Sequence, residues 1–170
     1  MLSESARMTT AAEARYRIDY PNSKPRAVKV VALDRPSELV VKRLAERPWQ
    51  AATFFTALKF DRAPPGGENW SMKAWLSDLA GRTKDLVDEV ASADLVVMVS
   101  SAGTNAQAAA VIAEACSVRK VMTTALIIGS EAKSDEELSK TLASLRPYAS
   151  MLVIASNDDY IEEMLVALRA

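Results

Sequence analysis

The sequence contains no histidine. Ser-His-Asp triads, Cys-His pairs and histidine-based metal sites are therefore excluded. It contains one cysteine, Cys116, so no internal disulfide can form. One cysteine and no histidine also leave no conventional structural zinc site. Any acid–base chemistry falls to Asp, Glu, Lys, Tyr, Cys116 or a bound metal. An excess of one charge sign is missing too: the net charge is −1, with 25% charged residues. That balance argues against a nucleic-acid-binding surface and against an acidic disordered tail. No segment approaches the roughly 18 uninterrupted apolar residues of a membrane span, so no membrane partner is expected. The opening MLSESARMTT lacks the basic-then-apolar order of a signal peptide. The expected compartment is the reducing cytoplasm.

What remains is 170 residues, 49% of them apolar, enough for one domain with a sizeable core. Residues 1–26 are polar, without a clear period, and end in the turn-rich Pro21, Asn22, Ser23, Lys24 and Pro25. They read as an N-terminal arm, which gives a route to a homo-oligomer. Residues 27–170 then alternate between two periods. Strands are expected at Ala27–Leu33, Ala51–Phe60, Asp94–Ser100, Val121–Ile128 and Met151–Ala155. Helices are expected at Pro36–Glu46, Ser71–Val90, Thr104–Val118, Ser134–Leu145 and over the last residues, where Ile161, Met164, Leu165 and Leu168 share a face. Near-continuous apolar strands alternating with helices predict a three-layer, Rossmann-like α/β domain. Its sheet should be mostly parallel, with about five strands.

Ligands of such sheets sit outside the strand carboxyl ends, where the strand order reverses. If the first and third strands are neighbours, the facing loops are Asp34–Ser37 and Ser100–Thr104. The turn Ser100-Ser101-Ala102-Gly103-Thr104-Asn105 is the best single candidate. Small residues admit a ligand to the backbone, and a helix start favours an anion such as phosphate. Thr104 with Gln107 would cap the helix; an ordinary capped turn accounts for the same residues. Gly66 and Gly67 in PPGGEN could hold a second anion or form a surface turn. Arg35 could meet a phosphate and Asp34 a ribose or metal; helix capping and a solvated charge are the plainer roles. Glu114 lies within AAVIAEAC, where a helical glutamate ordinarily faces solvent. Cys116 reads as a small core residue. Asn157, Asp158 and Asp159 read as part of a helix cap.

Over Ala93–Leu165 the chain resembles the tubulin/FtsZ family of GTPases. The run Ala93-Asp94-LVVMVS is followed by Ser101-Ala102-Gly103-Thr104-Asn105-Ala106-Gln107, then AAAVIAEA and later MLVIASNDD. The family has an AD-plus-apolar strand, a GGGTGTG phosphate loop, AAPVIAE, and a strand ending in PND. Weaker likeness extends to residue 27, through VKVVALD and PPGGEN. The family's first glycine-rich loop is replaced by Asp34-Arg35-Pro36-Ser37, and of GGGTGTG only Gly103 remains of the glycines. The domain that completes the family's hydrolytic site has no room in this chain. The resemblance therefore implies a nucleotide- or phosphate-binding domain without GTP hydrolysis, with a purine nucleotide and magnesium as the implied ligand.

The pattern ADLVV…GT…E…A also resembles nucleoside deoxyribosyltransferases. That resemblance implies an enzyme acting on a nucleoside or sugar phosphate, with Glu114 as nucleophile and Asp94 on the sugar side. A third reading is a homo-oligomeric assembly module with no small ligand.

Overall fold

The structure is a computed structural model that describes residues 24–57, 75–79, 83–104, 107–129, 133–155 and 158–170. Most of the expected arm, together with Asn105, Gly66, Gly67 and Asn157, lies outside the described residues. The described residues form seven strands: β1 (Val28–Ala32), β2 (Ala52–Thr56), β3 (Trp75–Asp78), β4 (Thr83–Asp85), β5 (Leu95–Ser101), β6 (Met122–Ile128) and β7 (Met151–Ile154). Among the described residues five α-helices accompany them: α1 (Arg35–Ala45), α2 (Leu86–Ala91), α3 (Gln107–Arg119), α4 (Asp135–Leu145) and α5 (Asp158–Ala167). The strand order is β4-β3-β2-β1-β5-β6-β7. The five strands β2-β1-β5-β6-β7 are parallel, while β3 and β4 add an antiparallel hairpin beyond β2.

The sheet is covered on both faces, giving three layers. Buried Phe55, Val96, Met98 and Ile127 pack under Leu86 and Val90 of α2, Ile112 and Cys116 of α3, and Leu145 of α4. On the other face Val30, Val97, Val99 and Leu126 meet Val40, Val41 and Leu44 of α1 and Ile161 and Leu165 of α5. Every residue of β5 is buried, as a central parallel strand with two covered faces requires. Each large apolar side chain so buried stabilises the fold by about 1.5–3 kcal/mol. The Rossmann-like three-layer expectation is met. Among the described residues no helix is long and apolar enough to cross a membrane.

One expected element is different. The helix expected over Ser71–Val90 is a hairpin, β3 and β4, followed by the short α2. The outer edge of β2 takes an antiparallel partner, with Phe55 opposite Asp78 and Thr56 opposite Ser77. Ladder pairing there outweighs the helical spacing of the apolar residues. The helix begins only after Asp85, whose carboxylate accepts Val87 N–H at 2.8 Å.

Candidate functional site

β1 and β5 are neighbours, with Ala32 opposite Val99. Their carboxyl ends bring the Asp34–Ser37 loop against the Ser100–Thr104 turn. This is the point where the strand order reverses: β2 lies on one side of β1, and β5 to β7 run away on the other.

Asp34 caps α1. Its Oδ1 accepts Ser37 N–H at 2.9 Å, and Ser37 Oγ accepts Asp34 N–H at 3.2 Å, with Pro36 in the first turn. The same carboxylate reaches across the sheet. Ser101 donates to it twice, from N–H to Oδ2 at 2.7 Å and from Oγ to Oδ1 at 2.8 Å. Ser100 Oγ lies 3.0 Å and Thr104 Oγ1 2.9 Å from Oδ2. Asp34 is only 8% exposed. Burial pushes its pKa up, but the hydrogen bonds outweigh it. Ser101 N–H, Ser37 N–H and the Ser101 and Thr104 hydroxyls together hold the carboxyl below the ordinary aspartate range.

The backbone of the turn is equally occupied. Ser101 N–H goes to Asp34, Ala102 N–H to Ile128 O at 2.9 Å, Gly103 N–H to Thr141 Oγ1 at 2.9 Å, and Thr104 N–H to Ser101 O at 3.3 Å. Gly103 has φ +85°, a conformation that favours glycine. The four described amides of the candidate loop, Ser101 to Thr104, are thus each bonded within the protein. The capping pair expected of Thr104 and Gln107 is not joined by a hydrogen bond. The Thr104 hydroxyl is turned to Asp34 and to Ser101 O, at 2.7 Å from the latter.

Arg35 is exposed on the first turn of α1. A cleft of about 390 Å³ lies beside the turn, lined by Gly103, Thr104, Glu137, Lys140, Thr141 and Ser144. Lys133 stands 3.5 Å from Glu137 Oε1 at its rim. The hydrogen bond from Ser134 N–H and the charge of Lys133 keep Glu137 below the usual glutamate range. A hollow of about 440 Å³, lined by Arg47, Trp49, Glu162 and Arg169, lies at the strand amino ends, away from this turn.

Glu114 is exposed on α3 and lines an apolar groove with Leu86, Val87, Val111, Val118 and Arg119. Asp94 precedes β5 at the opposite end from the turn, and its carboxylate accepts Ala27 N–H at 2.9 Å. Asp94 is not among the residues that line the groove beside Glu114. Cys116 is fully buried, and burial pushes its thiol up to about 11. Among the described residues no group of three or more Asp, Glu or Cys could hold a metal ion.

Sequence reasoning missed Thr141. It lies three residues after Leu138 and four before Leu145, on the apolar stripe of α4, and is 2% exposed. A hydroxyl at such a position has to find a partner, and that was the available signal. Comparison of the sequence with protein-family models and with curated proteins gives no match.

Proposed function

We propose that this chain is a non-catalytic assembly module built on a nucleotide-core type of α/β scaffold, in which Asp34 fills the place that an anionic ligand would take. One observation carries this reading. The Ser101–Thr104 turn, the best candidate for holding phosphate, has its four amides bonded internally and a carboxylate at the centre of its hydroxyls. A phosphate entering there would meet the charge of Asp34 at close range. On this reading the likeness to the tubulin/FtsZ core concerns the scaffold.

The second reading is a nucleotide- or phosphate-binding domain, taking a purine nucleotide with magnesium. It is favoured by the convergence of Ser100, Ser101 and Thr104 donors on one anionic group. It requires Asp34 to leave.

A thermal-shift screen with GTP, GDP, ATP, nucleoside monophosphates and inorganic phosphate, each with and without magnesium, separates the two. A ligand at about 100 times its dissociation constant stabilises a fold by roughly 2.7 kcal/mol, which is a shift of several degrees here. The assembly reading expects no shift. A shift with one nucleotide, lost on Gly103→Val, would overturn it in favour of the second reading.

A further inference from the structure

The sheet ends in two unlike edges. At one end lies β4, three residues long, with Lys84 and Asp85 on it. Shortness and charge are the usual protection of an edge strand. At the other end lies β7, Met151-Leu152-Val153-Ile154, and among the described residues no strand pairs with its outer side. From Pro147 to Asn157 the sequence has no charged residue, and β7 itself has no proline.

The apolar surface gathers at this same edge. The described residues expose eight large apolar side chains. Four of them are here: Met151 and Ile154 on β7, Tyr148 just before it, and Met122 at the start of neighbouring β6. Leu152 packs into the core under α4, while Val153 packs on the opposite face. By the two-residue alternation of a strand, Ile154 (44% exposed) and Met151 (40% exposed) leave apolar surface on both faces of the edge. Ala155 N–H points inward, to Ile127 O at 2.8 Å. The same alternation turns the backbone N–H and C=O groups of Leu152 and Ile154 outward.

We propose that β7 is an interface at which two copies of this chain pair antiparallel, edge to edge, about a two-fold axis. The inference rests on the assembly reading above and names its partner and surface. The strand suits a second copy of itself because an uncharged edge meets an uncharged edge without repulsion. The outward groups of Leu152 then oppose those of Ile154 in the second copy, with Val153 at the axis. The self-complementary pairing closes on itself. A four-residue strand pair buries less than the roughly 1,200 Å² of a standard stable interface. The dimer should therefore depend on concentration, with Tyr148 and Met122 widening the contact.

The test is sedimentation velocity of the full chain over a range of concentrations, for the parent protein and for Ile154→Lys and Leu39→Lys. Leu39 is 64% exposed on α1, so its lysine variant controls for added charge. The parent and Leu39→Lys should form dimers. Ile154→Lys should weaken the dimer by about tenfold or more, because it places a charge at each end of the pairing. Far-UV circular dichroism and thermal unfolding should show Ile154→Lys still folded, since the residue is already partly solvated. If that variant does not fold, Met151→Lys, which adds a charge at the other exposed position of β7, serves in its place, and the same weakening is expected. A parent that stays monomeric overturns the pairing. A parent dimer that Ile154→Lys leaves intact moves the interface elsewhere, overturning the edge while the assembly reading stands. A nucleotide-dependent thermal shift would instead remove the assembly reading itself.

Discussion

Asp34 Oδ2 and Ser101 N–H are joined at 2.7 Å although 67 positions separate them in the chain. This bond ties the first turn of α1 to the end of the central strand β5. Around it Ser37, Ser100, Ser101 and Thr104 converge on one carboxylate.

Removing that carboxylate should cost more than an ordinary surface substitution. Asp34→Ala deletes a helix cap, worth about 1 kcal/mol, and strands at least the Ser101 N–H, at about 1–3 kcal/mol. A loss of about 2–4 kcal/mol in urea unfolding is expected. Asp34→Asn keeps an acceptor for Ser37 and should lose less. A change below about 0.5 kcal/mol for Asp34→Ala would show that the network contributes little to stability.

Acid should unfold the parent protein partly through the same residue. The folded-state pKa of Asp34 is lowered, so on falling pH the unfolded chain takes up this proton first. The stabilisation is fully present above the ordinary value of 3.8 and is lost as the pH falls through the lower folded value. Stability should fall more steeply with acid in the parent than in Asp34→Asn over that window. Equal slopes in equilibrium unfolding would remove Asp34 from the acid response.

Thr141→Val keeps the shape of the side chain and deletes the acceptor for Gly103 N–H. The expected cost is about 1–2 kcal/mol. Hydrogen exchange at the Gly103 amide should quicken, and Thr141→Ser should restore most of its protection. Unchanged exchange in the valine variant would mean that this amide is protected by other means.

At Gly103 a side chain meets a backbone obstacle before a steric one. An added Cβ would stand 3.2 Å from Glu137 Oε1, the movable end of an exposed side chain, but φ is +85°. Gly103→Ala should cost about 1 kcal/mol from conformation alone. Adding Glu137→Ala to it should relieve little of that loss. Full relief would mean that crowding, not backbone conformation, sets the cost.

Cys116 should be slow to react. It is fully buried, and its thiol is pushed up to about 11 by burial. Little thiolate is then present at pH 8. A disulfide-exchange reagent should label it slowly in buffer and rapidly in strong denaturant. Fast labelling of the folded protein would mean that α3 opens readily.

The parallel core was legible because VKVVA, LVVMVSS and MTTALII are near-continuous apolar runs, as strands covered on both faces tend to be. The helix expected from Ser134 was equally plain, since Ser134 and Glu137, which form the capping box of α4, lie within one turn. The hairpin of β3 and β4 was not legible. Its identity comes from the open edge of β2, which lies outside its own sequence window. At the site, the residues on both sides of the switch point were readable, but their mutual occupation was not. Asp34 with Ser37 is a local pattern; Asp34 with Ser101, or Gly103 with Thr141, depends on strand order and on the register of α4. Local rules see three or four residues, whereas these bonds span 67 and 38.

The closed turn also has a consequence for how this protein can change. Three separate acceptors hold its first three amides: the Asp34 carboxylate, the Ile128 carbonyl and the Thr141 hydroxyl. Losing the Asp34 carboxylate strands the buried Ser101 N–H, and losing the Thr141 hydroxyl strands the part-buried Gly103 N–H, while the Ile128 carbonyl is main chain and stays whatever side chain stands there. A single substitution therefore lowers stability without opening the loop, and only concerted changes could reopen it. Mutational routes out of this arrangement cross a valley, so the turn should stay as it is through long stretches of neutral drift.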